Sequence, residues 1–423
     1  MTSEAAAVDR VFRSEFGRAV ALLARVLGDI GLAEDAVQDA YLAALRRWPA
    51  DGVPDNPRAW IVAAARNRAI DRLRRDRVLE RHTEELTRRA EDEMKRYDES
   101  ADDDTIPDER LRLIFTCCHP ALATEAQVAL TLRLVAGLTV PEIARALLAA
   151  EPTIAQRLVR AKHKVRAAGI PVRVPPDDQL TDRLASALAV VYLIFNEGYV
   201  ATSGPQLRRD DLAGEAIRLG RVISTLMPDE PEAAGLLALM LLQHSRRDAR
   251  TDAAGEVVLI GRQDRSQWHR DEIAEGVALT ERALRMTRTP GRYALEAAIA
   301  AVHAQAAAAE DTDWWQIAAL YEMLLRVSPS PMAALSRSVA VSMAQGPAAG
   351  LALADSIAAE GSLAHSHLLH ATRADMLGRL GRSQEAAAAY RTAIDQAGNE
   401  AERRLLQRKL ADLPEPSQPR TNG

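Results

Sequence analysis

Apolar residues return at helical spacing in stretch after stretch of this chain, and that periodicity dictates most of what it can fold into. In AEDAVQDAYLAALRRW (33–48), Val37, Tyr41, Ala44 and Trp48 recur every three or four residues, the pattern of a helix with one buried face. Around AAARNRAIDRLRRDR (63–77), Val62, Ala69, Ile70 and Leu73 share one arc of a helical wheel. Within EPTIAQRLVRAKHKVR (151–166), Ile154, Leu158, Ala161 and Val165 do the same. The hydrophobic share of 48% is mostly Ala and Leu, and aromatics make up only 4%. Such a mixture favours helix and starves strands of the β-branched and aromatic residues they prefer. The expected fold class is all-α. A chain of 423 residues is too long for one core, and its length corresponds to roughly two to four domains.

Breaks in the pattern divide it. EDEMKRYDESADDDTIPDE (91–109) is acidic, poor in apolar residues and interrupted by proline, as flexible linkers are. GIPVRVPPDDQ (169–179) sets three prolines beside a glycine and stops a helix. The expected division is a helical unit at 1–78, a flexible acidic linker at 79–107, and a second helical unit at 108–172. A long helical region at 173–413 and a disordered tail, PEPSQPRTNG (414–423), complete it.

Several function classes find no support. Two adjacent cysteines, Cys117 and Cys118, cannot make a disulfide framework and suit a reducing cytoplasm. Cys117, Cys118 and His119 lack a second ligand cluster at metal spacing, so no metal site is expected. No basic start followed by an apolar stretch opens the chain, and the longest apolar run, LASALAVVYLIF (184–195), falls short of the ~20 residues a spanning helix needs. A cytoplasmic protein without membrane contact is expected. There is no glycine-rich phosphate loop, His-Glu-x-x-His or Gly-x-Ser-x-Gly, so neither catalysis nor a cofactor is expected.

What remains is chemistry on exposed helix faces. Opposite the core arc of the arginine-rich helix lie Asn67, Arg68, Asp71 and Arg75, with Trp60 and Ala64 beside them and Arg72 flanking. Guanidinium groups bind phosphate and stack on bases, an asparagine amide pairs with a base edge, and tryptophan offers a π-face to an unstacked base. An ordinary solvated, salt-bridged surface is the competing interpretation. The formal charge of −5 does not oppose nucleic-acid binding, because acidic segments elsewhere mask a local basic patch. On helix 33–48 the outer face carries Asp35, Asp39, Leu42 and Arg46, with Gln38 adjacent; a leucine among carboxylates hints at a protein-binding face. The stretch PADGVPDNP (49–57) supplies turn residues.

Farther on, LTVPEIARALLAAEPTIAQRLVRAKHKVR (138–166) reads as two helices joined tightly. Thr139 and Glu142 form a capping box, Pro141 fits the first turn, and Ile143 and Leu147 share a face. The second helix starts near Ala150 or Glu151, with Pro152 in its first turn, and projects Thr153, Gln156, Arg157, Arg160 and Lys164 outward, along with Lys162 and His163. This is a helix-turn-helix, whose basic second helix enters a major groove.

These segments resemble bacterial RNA polymerase sigma factors of the extracytoplasmic-function type. AEDAVQDAYLAALRRWP followed by NPRAWIVAAARNRAIDRLRRD resembles region two of that family. The resemblance implies that Asp35, Gln38, Asp39 and Leu42 contact core RNA polymerase. It implies that Asn56, Trp60, Asn67, Arg68, Asp71, Arg72 and Arg75 face the promoter's minus-ten element, which is melted there. Ile143-Ala144, Glu151, Thr153, Arg157-Leu158 and Arg160-Ala161 match region four at its spacings, which implies minus-thirty-five contacts by Thr153, Gln156, Arg157, Arg160 and Lys164 and a second contact with the polymerase flap. Leu148 stands where that family usually has a turn glycine, and Pro152 replaces another. The rival interpretation is a free-standing helix-turn-helix regulator with a sensing domain.

Members of the family usually end soon after region four, whereas this chain continues for about 250 residues (173–423). LGRSQEAAAAYRTAI (380–394) places Gly381, Ala386, Tyr390 and Ala393 at tetratricopeptide spacing; Ala216 with Pro228, and Ile317, Tyr321, Leu324 and Pro329, fit the same frame at uneven intervals. A helical-repeat domain is expected, offering a surface for an unknown protein or small ligand. The polar stretch 244–269, with Arg246, Arg247, Asp248, Arg250, Asp264, Arg265, Trp268 and His269, suits a ligand pocket, a contact surface or an ion-pair network. Asn196 to Tyr199 read Asn-Glu-Gly-Tyr, resembling the sigma-factor group with a large C-terminal extension; the resemblance implies that the extension governs activity.

Overall fold

A computed structural model describes residues 3–75, 107–147, 149–199, 210–252, 256–398 and 400–414. Most of the expected linker, Leu148 and all but the first residue of the expected tail lie outside them. The fold is all-α: the described residues hold helices and a single isolated bridge between Thr251 and Val257. The chain separates into two compact units, one of residues 1–197 with 214–226, the other of 198–213 with 227–423.

The first unit opens with α1 (Ser3–Leu27), α2 (Ile30–Asp51) and α3 (Pro57–Arg75). Asp29 caps α2 by accepting the amides of Gly31 and Leu32 at 2.8 and 3.0 Å, satisfying donors that a helix start leaves open. Val37, Tyr41, Ala44 and Trp48 are buried, as their spacing predicts. Where the sequence suggested a loop from residue 49, the helix carries Pro49 and runs to Asp51, and Gly52, at φ 83°, ends it.

The unit continues with α4 (Pro107–Cys117), α5 (Thr124–Leu130), a π-helical turn Thr131–Val135, α6 (Val140–Ala146), α7 (Glu151–Ala167) and all but the last two residues of α8 (Asp177–Tyr199). Thr139 and Glu142 form the capping box: the Thr139 amide donates to Glu142 Oε2 at 2.7 Å, and the Glu142 amide donates to Thr139 Oγ1 at 3.4 Å. Ile154, Leu158, Ala161 and Val165 are buried along α7. The π turn packs against α1 so closely that a Cβ on Gly17 would lie 2.4 Å from the Val135 carbonyl oxygen. Most of α9 (Asp210–Leu226) also belongs here, and Arg218 donates to the Val135 carbonyl at 3.4 Å.

The second unit stacks consecutive helices, each on its neighbour: α10 (Pro231–His244), α11 (Arg270–Met286), α12 (Arg292–Gln305), α13 (Trp314–Val327), α14 (Pro331–Gln345), α15 (Pro347–Glu360), α16 (His367–Arg379), α17 (Ser383–Gln396) and α18 (Glu400–Ala411). Of the repeat-like positions, Ala386, Tyr390, Ala393, Ile317 and Leu324 are buried, and Gly381 takes φ 75° in its turn. Glu232 on α10 accepts the Tyr293 and Ala294 amides at 2.9 and 3.1 Å, capping α12 from a neighbouring helix.

Two outcomes follow. Gly17→Ala forces a methyl group onto backbone, which cannot swing aside. It is expected to destabilise the first unit by about 1–3 kcal/mol, read as a lower denaturation midpoint by circular dichroism. Cys117 and Cys118 are fully buried; burial pushes the Cys118 thiol up to about 12 and Cys117 well above its usual range. Since thiolate is the reactive form, a disulfide-exchange reagent is expected to leave both unmodified until the chain is unfolded.

Candidate nucleic-acid interface

The arginine-rich helix α3 buries Ile61, Val62, Ala65, Ala69 and Ile70. Its other side leaves Asn67, Arg68 and Asp71 exposed. The side chains of Arg72, Leu73 and Arg75 lie outside the described residues. Trp60 is half-buried, and its ring meets the edge of buried Trp48 at 5.5 Å and 68°. The ring is therefore held in place at the border of core and solvent, as a stacking platform requires. Asn56 has a local duty beside any binding one: its Oδ1 accepts the Ala59 amide at 3.0 Å and caps α3.

On α2, Asp39, Leu42 and Arg46 are exposed and Asp35 is half-buried. Leu42 is 51% exposed, an apolar side chain left in water between charged neighbours. Gln38 is partly occupied, its amide donating to Glu34 Oε1 at 2.7 Å.

On α7, Thr153, Gln156, Arg160 and Lys164 are exposed and Arg157 is half-buried. Donors and one amide thus line a single helix face, opposite the apolar stripe. Lys162 differs from its neighbours. It reaches Glu34 Oε2 at 2.9 Å and is half-buried rather than solvated.

That contact belongs to a cluster the sequence analysis missed. Glu34 is only 3% exposed, and Arg133, on the π turn, donates through Nε to Glu34 Oε1 at 2.6 Å. Arg133 also donates to the Leu138 carbonyl at 2.8 Å, and its guanidinium lies 5.3 Å from the Phe16 ring. Farther along α7, highly exposed Arg166 approaches half-buried Asp29 at 3.6 Å. Glu34 therefore joins α2, the π turn and α7. The signal was present in the register, since residue 34 falls three before Val37 and in phase with Tyr41, Ala44 and Trp48.

Comparison with known proteins bears on these faces. Sigma-70 region 2 matches residues 11–78, Sigma-70 region 4 matches 112–165, and a family of unknown function, DUF6596, matches 183–284. The ECF RNA polymerase sigma factor SigK of Mycobacterium tuberculosis (strain CDC 1551 / Oshkosh) is 31% identical over 150 residues, 35% of this chain and 78% of SigK. SigK of Mycobacterium sp. (strain KMS) is 30% identical over 145 residues, 33% of this chain and 72% of its own length. An uncharacterized protein of Rhizobium meliloti (strain 1021) is 43% identical over 407 residues, 96% of each chain. No solved structure matches. Two sigma-70 regions in this order define a transcription-initiation protein of the sigma-70 class. Within that class, the chain belongs to the extracytoplasmic-function (ECF) sigma factors, with a C-terminal extension that includes the 183–284 family.

Glu34→Gln removes the charge that Arg133 and Lys162 neutralise. Stranding a buried guanidinium in this way costs about 3–5 kcal/mol, whereas Arg166→Ala, which removes a solvent-exposed guanidinium from Asp29, is expected to cost under about 1 kcal/mol. Urea denaturation of the two variants side by side checks the difference.

Proposed function

We propose that this chain carries core RNA polymerase to promoters of its own set. In this reading α2 docks on the polymerase clamp through Asp35, Gln38, Asp39 and Leu42, α3 captures the melted minus-ten element, and α7 reads the minus-thirty-five element. The flap of the polymerase meets the 108–172 region. The observation that carries the reading is the pairing, on one chain, of two helices that each expose an arginine and a side-chain amide and whose sequences match regions 2 and 4 in order.

The residues divide by chemistry. Arg68, with Arg72 and Arg75, meets phosphates and unstacked bases, Trp60 stacks on a flipped base, and Asn56, Asn67 and Asp71 offer hydrogen-bonding groups to base edges. On α7, Gln156, Arg157 and Arg160 face base edges, Thr153 lies at the helix start, and Lys164 meets phosphate. The domain assignment that goes with it is 1–78 for region two, 79–107 for the linker, 108–172 for region four, and 173–413 for a helical extension that modulates initiation. The phosphodiester chemistry belongs to polymerase, and the site of action is the cytoplasm.

Transcription in vitro with core polymerase and upstream DNA from the same organism tests this. The full chain is expected to initiate at defined positions. Arg68→Ala combined with Trp60→Ala abolishes open-complex formation while leaving polymerase binding intact. Arg160→Ala weakens promoter binding by about 1–3 kcal/mol and relaxes specificity at one position, and Lys164→Ala lowers the salt slope by about 1. Failure of the full chain to bind core polymerase defeats the reading. The extension is tested with a chain ending at residue 226, because residues 214–226 belong to the first compact unit and an end at 172 removes them. A promoter-dependent output that differs between this chain and the full one supports modulation; identical output refutes it.

A further inference from the structure

The arginines of the stretch 244–270 fall into two groups that the sequence does not distinguish. Arg247 is neutralised: it donates to Glu272 at 2.8 Å, and the same carboxylate meets His244 Nδ1 at 3.1 Å. His269 follows, sharing a hydrogen bond with Asp248 at 2.7 Å. Arg246 and Arg265 form no ion pair with a carboxylate among the described residues. Both guanidinium groups instead lie against one indole, at 5.8 and 4.5 Å from the Trp268 ring centre.

Each spends one terminal nitrogen on the protein. Arg246 Nη2 donates to the Tyr199 hydroxyl at 2.9 Å, with a longer contact of 3.4 Å to Gln243. Arg265 Nη1 donates to the carbonyls of His303 and Ala306, both at 2.7 Å. Among the described residues, Nε and the other terminal nitrogen of each guanidinium have no protein acceptor, and a guanidinium edge of that kind matches an oxyanion. Trp268 itself is 2% exposed, and its indole N–H is buried without an acceptor. The unspent groups here are donors, two of them cationic. A third cation, Arg270, stands nearby and donates to the Arg265 carbonyl at 3.3 Å.

We propose that Arg246 and Arg265, set against Trp268, form a binding site in the C-terminal extension for a small oxyanion, a phosphate or a carboxylate. Bringing two half-buried guanidinium groups to one ring with no carboxylate paired to either among the described residues is unfavourable, and an oxyanion on their open edges relieves it. The electrostatics agree. Burial, followed by Arg246, holds the Arg265 guanidinium below its ordinary range, against the weaker pull of Asp311 and Glu310. Burial first, then Arg246 and Arg265, pushes His303 down to about 4, so the imidazole beside the cluster adds no further positive charge at neutral pH. The site differs from the polymerase and DNA faces and does not depend on their assignment.

The test uses the full chain, titrated at constant ionic strength with inorganic phosphate and, separately, with succinate. Calorimetry and the indole 15N–1H signal of Trp268, assigned by its loss in Trp268→Phe, report binding. One probe at least is expected to saturate at a single site and shift that signal, and the probe that does so identifies the oxyanion. Arg246→Gln and Arg265→Lys, each shown folded by an unchanged melting midpoint, are expected to bind at least tenfold more weakly. The exposed Arg326→Gln serves as control and binds as the wild type does. Linear, unsaturated shifts with both probes overturn the proposal, and so does wild-type affinity in either folded variant.

Discussion

The carboxylate of Glu34 has left water, and three elements of the first unit are placed by the need to neutralise it. Arg133 meets one oxygen and Lys162 the other, at 2.6 and 2.9 Å. A buried pair of this kind adds little net stability over well-packed apolar residues, because desolvation offsets most of the attraction. Its effect is on geometry. Arg133 reaches Glu34 from a π turn, where the backbone is wound more loosely than in an α-helix. Gly17 lets α1 lie directly on that turn. Lys162 then fixes the rotation of α7, because the face opposite its apolar stripe must keep Gln156, Arg160 and Lys164 in water.

Charge in this chain is a local property. A net of −5 describes no surface of the molecule. On α7 the exposed face is basic while Glu151 alone is acidic at its start, where the helix dipole favours a negative group. On α2 the exposed carboxylate of Asp39 stands one turn from Leu42, and half-buried Asp35 stands one turn farther back. The two faces therefore suit partners of different kinds, one polyanionic and one proteinaceous with its own apolar pocket. ECF family membership is consistent with that division of labour, since one subunit must meet both polymerase and DNA.

Much of this was legible from spacing. The buried stripes of α2, α3 and α7 and the capping box at Thr139 are set by residues within two turns of one another, and local periodicity records them. The exposure of Asn67, Arg68, Asp71, Thr153, Gln156, Arg160 and Lys164 was legible as the complement of those stripes. Glu34 was also on a stripe, yet a carboxylate there has meaning only through Arg133 and Lys162, some 99 and 128 positions away. The π turn, the extension of α2 through Pro49, and the contact of Trp48 with Trp60 depend on packing in the same way. Helix propensity and hydrophobic phase carry no information about which distant element closes on which face.

The C-terminal extension makes the same point with identical residues. Arg246 and Arg247 are neighbours with the same intrinsic chemistry, and sequence offers no reason to separate them. Packing does: α11 brings Glu272 to Arg247, whereas Arg246 turns toward Tyr199 and the Trp268 ring. A paired arginine ties one segment to the next and is spent. An arginine held by a hydroxyl, a carbonyl or an indole face keeps its full charge and is positioned without being neutralised. What separates the chemistry of the two is therefore the element that each one faces.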